Sequence, residues 1–187
     1  MKTVFITGAS SGIGASISIA LCEAGHNVFG FARRDGKLKE IQKSIQNEQF
    51  SGTFRFYSGD ITSSTDIKMA VKECVDNLGE INVLIPNAGL GYFNPLQESE
   101  MNEWEEMVDV NITGVLRTIH ATLPALVKSK GQIINIGSVA ARNVYKNSGI
   151  YCMTKHAVLA LSESLRIEIG DSVAITTINP GAVNTSF

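Results

Sequence analysis

The sequence has little net charge and no long apolar run. Its 187 residues include 16 Lys and Arg against 18 Asp and Glu, a formal net charge of −2, and no Lys/Arg run forms a local basic patch. This balance predicts no attraction to nucleic acid or to an anionic membrane. No stretch approaches the ~20 apolar residues that span a bilayer, and the N-terminus lacks the parts of a secretory signal. We therefore expect a cytoplasmic protein that binds neither nucleic acid nor membranes.

Cysteine and histidine are also scarce. The three cysteines, Cys22, Cys74 and Cys152, are odd in number, far apart, and form no C-x-x-C. That pattern is typical of reduced thiols in or near the core of a cytosolic protein, rather than of disulfides or metal ligands. The three histidines are likewise scattered. We expect no metal site.

Apolar runs alternate with segments of helical periodicity along the whole chain. The length of 187 residues suits a single domain over 1–187. Short connections join the elements, so the alternation predicts an α/β fold: a Rossmann-type, doubly wound parallel sheet in three α/β/α layers. Strands are predicted over 2–7, 27–31, 53–57, 81–85, 132–136 and 173–178. Helices are predicted over 13–24, 35–48, 64–78, about 100–129, and 150–169.

A glycine-rich stretch follows the first predicted strand directly. Thr7 to Gly14 reads T-G-A-S-S-G-I-G, where glycines permit a tight turn, a close backbone approach to a pyrophosphate, and close packing of the helix on the sheet. The N-terminus of the following helix favours an anion. The stretch therefore predicts a dinucleotide-binding loop, with contacts from Gly8, Ser10, Ser11, Gly12, Ile13 and Gly14.

The end of the second strand bears on which dinucleotide binds. NAD sites usually place Asp or Glu there to accept from the ribose 2′-OH, whereas this sequence has Arg33 and Arg34. An arginine can bond a 2′-phosphate through two parallel hydrogen bonds. We therefore expect NADP(H) rather than NAD(H); the alternative is that both arginines are solvated loop charges. After the third strand, Asp60 and Ile61 are placed either to contact adenine or to lie at a helix N-terminus, and spacing alone does not separate the two.

Polar residues follow the later strands as well. Asn87-Ala88-Gly89 ends the fourth strand, and its small residues leave room for a cofactor. Ser138 ends the fifth strand. Tyr151 and Lys155 lie four residues apart near the start of a helix, so their side chains share one face.

Taken together, these motifs resemble the short-chain dehydrogenase/reductase family. The matching elements are T-G-x-x-x-G-I-G, N-A-G, Asn111 in the long helix, Ser138, Y-x-x-x-K at Tyr151 and Lys155, and Pro180-Gly181 followed by Thr185. Y-x-x-x-K alone occurs by chance in many helices, whereas the ordered set is specific and spans essentially the whole chain.

The resemblance implies a catalytic role for each matched polar residue. Tyr151 would be the general acid in carbonyl reduction and the base in alcohol oxidation. A free tyrosine has a pKa of ~10, and we expect Lys155 to lower that value in part. Ser138 would hydrogen-bond the substrate oxygen, and Asn111 would hold a relay water. The loop Pro180, Gly181, Val183 and Thr185 would cover the nicotinamide.

The resemblance also bears on partners and on the end of the chain. It implies a small-molecule carbonyl or alcohol substrate and a homodimer or homotetramer formed through the two long helices. Apolar faces on those helices are compatible with such pairing, although each helix must also bury a face on the sheet: Val115, Ile119, Leu123 and Leu126 on one, and Val158, Leu161 and Leu165 on the other. The sequence stops at Phe187, where family members usually continue into a seventh strand and a last helix. Three interpretations stay open: a missing C-terminal part, a weakly active truncated product, and a dinucleotide-binding sensor or partner protein.

Overall fold

Six parallel strands form one sheet in the computed structural model, which describes residues 1–185. The strands are β1 (Thr3–Thr7), β2 (Asn27–Ala32), β3 (Phe54–Ser58), β4 (Val83–Ile85), β5 (Gln132–Ile136) and β6 (Ala174–Ile178). Their order across the sheet is β3-β2-β1-β4-β5-β6. The chain therefore winds outward from β1 in one direction, and then from β4 in the other. Within residues 1–185, β6 pairs only with β5.

Helices cover both faces of the sheet. They are α1 (Gly12–Glu23), α2 (Asp35–Asn47), α3 (Ser64–Leu78), α4 (Met101–Val108), α5 (Gly114–Ser129) and α6 (Gly149–Ile169). Successive residues of a strand point to opposite faces, so Phe5 packs with α3, α5 and α6, whereas its neighbours Val4 and Ile6 pack with α1 and α2. All five residues of β1 are buried, as expected for a parallel sheet covered on both sides. The predicted doubly wound α/β fold is confirmed.

The fourth strand is shorter than its apolar run predicts. β4 begins at Val83 rather than at residue 81, because a side chain, rather than a backbone carbonyl, accepts a hydrogen bond from β1 just before this strand. The Asn82 side-chain oxygen accepts a hydrogen bond from the Thr3 N–H at 2.8 Å. Ile81 is nevertheless fully buried. An apolar residue at this position therefore reflects packing in the core rather than membership of a strand.

The long helix predicted over 100–129 contains an irregular turn. Residues Asp109–Thr113 form a π-helical segment between α4 and α5, in which the Gly114 N–H bonds the carbonyl of Asp109, five residues earlier. Such segments are rare in proteins, and those that occur often lie at functional sites. Here the extra residue lies beside Asn111, which contacts the loop after β4. Hydrophobic periodicity does not reveal an insertion of this kind.

Membrane-spanning helices, metal-ligand clusters and cysteine pairing bear on the class of protein. No helix within residues 1–185 is both long and apolar enough to cross a bilayer. The same residues contain no group of three or more His, Cys, Asp or Glu side chains arranged to hold a metal ion. The three cysteines are free and buried, and burial raises the pKa of the Cys74 thiol to about 12.

A glycine fixes how closely α1 approaches the sheet. A Cβ on Gly14 would lie 2.3 Å from the Gly8 carbonyl oxygen and 2.6 Å from Asn87 Nδ2. Because the first of these is backbone, Gly14→Ala should lower the free energy of unfolding by about 1–3 kcal/mol. Gly36→Ala is the matched control, because its Cβ would meet nothing within 4 Å. The higher helix propensity of alanine should raise the free energy of unfolding of this variant by roughly 0.5 kcal/mol. Urea unfolding of both variants tests this; equal effects would contradict the packing argument.

Candidate active site

A cavity of about 730 Å³ lies along the carboxyl edge of the sheet, where the strand order reverses. Ligands of doubly wound sheets bind at this position. The cavity is lined by the glycine loop, the end of β2, the loops after β3, β4, β5 and β6, and the first turns of α6. The lining residues named by the sequence argument are Gly8, Ser10, Ser11, Gly12, Ile13, Arg33, Arg34, Ile61, Asn87, Ala88, Gly89, Ser138, Tyr151, Lys155, Pro180, Gly181, Val183 and Thr185. Gly14, Asp60 and Asn111 are not in the lining.

The glycine loop is fastened to the end of β4. Thr7 Oγ1 accepts hydrogen bonds from the N–H groups of Asn87 and Ala88, each at 3.0 Å, and Asn87 Nδ2 donates to the Thr7 carbonyl at 2.9 Å. Gly8 and Gly12 have φ angles of +68° and +52°, which a side chain would strain. A Cβ on Gly12 would also lie 3.2 Å from the methyl group of Thr185. The loop after β6 therefore returns to the glycine loop.

Arg34 is held in place by two serines of the glycine loop. Its Nε and Nη2 donate to Ser10 Oγ at 3.2 and 3.1 Å, and Nη2 also donates to Ser11 Oγ. Arg33 lines the same part of the cavity. No Asp or Glu is among the described lining residues, so the end of β2 presents only positive charge to a ligand. These residues could hold the phosphates of a dinucleotide.

Asp60 serves the local turn in this structure. Its Oδ1 accepts hydrogen bonds from Thr62 N at 2.9 Å and Thr62 Oγ1 at 2.8 Å. Partial burial opposes its ionisation, but those two bonds and the charges of Arg33 and Arg117 outweigh burial, so the pKa of Asp60 lies below its ordinary value. Ser63, rather than Asp60, caps α3. A contact from Asp60 to adenine stays a prediction.

Ser138, Tyr151 and Lys155 meet at the other end of the cavity. Ser138 follows β5, and its hydroxyl forms a hydrogen bond with the Tyr151 phenol that favours the phenolate. Lys155 Nζ donates to the Ile136 carbonyl at 3.2 Å and lies 5.8 Å from the centroid of the Tyr151 ring. The arrangement offers two hydroxyl groups side by side, with a buried cation behind them.

Burial controls the ionisation of both α6 residues. Burial raises the pKa of Tyr151, and the Ser138 hydrogen bond only partly offsets that rise. Burial also lowers the pKa of Lys155 to about 8. The four-residue spacing of Tyr151 and Lys155 predicts that the lysine lowers the pKa of the tyrosine. The structure differs from that expectation because the ammonium is bonded to Ile136 rather than to the phenol. In this state, Tyr151 is protonated at neutral pH.

The Asn111 side chain is fully engaged with the protein. Its Oδ1 accepts from Leu90 N at 2.9 Å, and Nδ2 donates to the Leu90 carbonyl at 2.8 Å and to Thr154 Oγ1 at 3.1 Å. The side chain therefore fixes the loop after β4 to the helix that carries Lys155. A relay water at Asn111 stays a prediction that rests on the resemblance.

One residue of the site escaped the sequence argument. Asn179 precedes Pro180, and its Oδ1 accepts from the Ser138 N–H at 3.2 Å. A Cβ on Gly137 would lie 2.2 Å from that oxygen, so the glycine makes the contact possible. Asn179 thus fixes the backbone of Ser138 from the neighbouring strand end. Its place beside Pro180-Gly181, directly after a predicted strand, was a signal that could have identified it.

The helix faces considered for oligomer contacts turn out to pack inward in part. Val115, Ile119, Leu126 and Val158 are buried in the core against the sheet, because each helix must bury one face there. The apolar side chains that α5 and α6 expose are instead Leu116, Val127, Met153 and Ile167. Association through these helices stays a prediction.

Known proteins share both this fold and this sequence pattern. The short chain dehydrogenase profile matches residues 2–187. The chain belongs to the short-chain dehydrogenase family. An uncharacterised oxidoreductase of Staphylococcus saprophyticus is 40% identical over 190 residues, which cover 100% of this chain and 76% of that protein.

Two solved structures illustrate the range of ligands within the family. An alcohol dehydrogenase from the archaeon Thermococcus sibiricus, in complex with 5-hydroxy-NADP, superposes with a TM-score of 0.95 at 34% identity, covering 100% of this chain and 79% of that one. An NAD⁺-bound xylitol dehydrogenase superposes with a TM-score of 0.91 at 26% identity, covering 96% and 70%. The chain is therefore assigned to a family of oxidoreductases. Solved structures with this fold hold an NADP derivative in one case and NAD⁺ in the other.

The buried ammonium of Lys155 should cost stability. Its pKa of about 8 in the folded protein is below the ~10.4 of a free lysine, so the penalty is present in full below pH 8 and is relieved as the pH rises towards 10.5. Lys155→Met should raise the free energy of unfolding at pH 7 by about 1–3 kcal/mol and reduce the gain in stability between pH 8 and 10.5.

Urea unfolding at pH 7 and pH 10 measures both effects. Lys72→Met is the control, because Lys72 is exposed and paired with Asp76, and its removal should change the free energy of unfolding little. A Lys155→Met variant that is less stable than the parent at pH 7 would refute the argument.

Proposed function

We propose that this protein is an NADP(H)-dependent oxidoreductase that interconverts a carbonyl and an alcohol, with Tyr151 as the general acid and base. The observation that carries this proposal is the placement of Ser138, Tyr151 and Lys155 on one end of a cavity whose other end presents the fixed guanidinium of Arg34. A purely dinucleotide-binding protein has no use for the two hydroxyl groups at the far end.

The chemistry of reduction follows from the ionisation of those hydroxyl groups. A nicotinamide cofactor held by the glycine loop and Arg34 would supply the hydride for the carbonyl carbon. Ser138 and Tyr151 would donate hydrogen bonds to the carbonyl oxygen as negative charge develops there. Burial keeps Tyr151 protonated, so it can transfer its proton to that oxygen and complete the alcohol. In the reverse direction, Tyr151 accepts the same proton.

The preference for NADP(H) rests on the arginine pair. A 2′-phosphate carries negative charge that a carboxylate would repel and a guanidinium can bind in bidentate fashion. Arg34 already has its fork oriented by Ser10 and Ser11, which reduces the entropy cost of binding. The alcohol dehydrogenase from Thermococcus sibiricus was solved with an NADP derivative, which supports the same choice.

The role of Tyr151 can be tested by removing one oxygen atom. Tyr151→Phe keeps the ring and its packing but removes the proton donor, so turnover of a carbonyl substrate should fall at least about 100-fold. The Kd for NADPH, measured by quenching of protein fluorescence, should stay within twofold of the parent value. Turnover at the parental rate in Tyr151→Phe would refute the proposed mechanism.

The cofactor preference is tested at Arg34. Arg34→Ala removes a charge-assisted bond of about 1.5–3 kcal/mol, so the Kd for NADPH should rise by at least tenfold while the Kd for NADH changes little. Lys39→Ala is the control: it also removes one positive charge, but Lys39 is exposed, pairs with Asp35 and does not line the cavity. A parent protein that binds NADH as tightly as NADPH would contradict the assignment.

A further inference from the structure

The loop after β4 brings one aromatic ring to the catalytic end of the cavity. Phe93 lines the cavity, and its ring meets the Tyr151 ring edge-to-face, with centroids 5.4 Å apart and an angle of 63° between planes. The residue nevertheless remains 49% exposed. A hydrocarbon surface therefore borders the place where Ser138 and Tyr151 would hold a carbonyl oxygen.

The neighbours of Phe93 fix its position. Tyr92 donates from its backbone N–H to Met107 Sδ at 3.5 Å and from its hydroxyl to Glu106. On the other side, Asn94 Nδ2 donates to Glu103 at 3.1 Å. Both flanking residues are thus bonded to side chains of α4, and the ring between them needs little further ordering to receive a ligand.

A missing side chain makes room for this arrangement. A Cβ on Gly91 would lie 2.7 Å from Phe93 Cζ and 3.2 Å from Tyr151 Cδ2. The Phe93 ring therefore occupies space that any other residue at position 91 would contest. Gly91, Phe93 and Tyr151 form one packed unit, which joins the loop to the residue that donates the proton.

The distribution of charge separates the two ends of the cavity. The described lining contains three cations and no carboxylate. Arg33 and Arg34 belong to the end of β2, and Lys155 is buried and bonded to the Ile136 carbonyl. The lining near Tyr151 thus offers no exposed cation to an anionic substituent, while Glu103 and Glu106 hold the flanks of the loop. An apolar substituent fits this end better than a charged one.

We propose that Phe93 determines the substrate class: its ring is the wall against which a carbonyl compound packs an aryl or similar apolar group, and compounds with a carboxylate at that group are disfavoured. This inference rests on the proposed function, because it assumes that the carbonyl oxygen lies at Ser138 and Tyr151. Edge-to-face contact between the ring of Phe93 and an aryl substituent adds to the burial of apolar surface.

The test compares three aldehydes in binding and in turnover. Dissociation constants for benzaldehyde, 4-carboxybenzaldehyde and propanal are measured by ligand-observed NMR in the Tyr151→Phe background with NADPH, where no turnover is needed. In that background, benzaldehyde should bind at least about fivefold more tightly than 4-carboxybenzaldehyde. Adding Phe93→Ala should weaken benzaldehyde binding about five- to tenfold and leave propanal within twofold. Adding Phe93→Tyr instead should restore benzaldehyde binding to within twofold.

The controls separate this inference from the proposed function and from a folding defect. Met69→Ala removes an exposed apolar side chain of α3 that does not line the cavity, and should leave benzaldehyde binding unchanged. An equal loss for benzaldehyde and propanal in Phe93→Ala, or no loss for either, would overturn the role of Phe93. With Tyr151 intact, absence of turnover alongside the predicted binding pattern would instead count against the proposed reaction.

Discussion

The hydrogen bonds between Thr7 and Asn87 hold together the two strand ends on which the site depends. One hydroxyl oxygen accepts from two successive N–H groups, and the Asn87 amide returns a bond to the Thr7 carbonyl. These bonds satisfy backbone groups that the reversal of strand order leaves without a ladder partner. They also bring the glycine loop and the small residues Ala88 and Gly89 to a fixed separation.

A second layer of hydrogen bonds transmits this order to the residues that carry the chemistry. Asn111 ties Leu90 to Thr154, and so fixes the loop after β4 relative to the helix of Tyr151 and Lys155. Asn179 does the same for Ser138 from β6. Both contacts are made by amide side chains that are not part of the cavity lining. The site is therefore positioned by side chains bonded to backbone, on strand ends and helices that the packed sheet holds still.

The fold and most of the cavity lining were predictable from the sequence, because each depends on local patterns. Buried strands show as apolar runs, and the motifs fall at strand ends because parallel strands bring those ends together. What escaped prediction is of another kind. The shortened β4 and the Asn179 contact each depend on a side chain that meets backbone distant in sequence, and the π turn at Asp109–Thr113 leaves no trace in the hydrophobic periodicity. Periodicity identifies the apolar face that holds Val115 and Ile119 but not its partner, so only the structure shows that this face packs on the sheet.

The opposite pKa shifts of Tyr151 and Lys155 have the same cause, which is burial. Burial penalises the charged form of each group, which raises the pKa of the phenol and lowers that of the ammonium. A phenolate and an ammonium stabilise each other when they approach within hydrogen-bonding distance, so a single movement of Nζ from the Ile136 carbonyl towards the phenol would shift both values back. Burial therefore favours the protonated form of Tyr151 in this arrangement, which is the form that the proposed reduction would use.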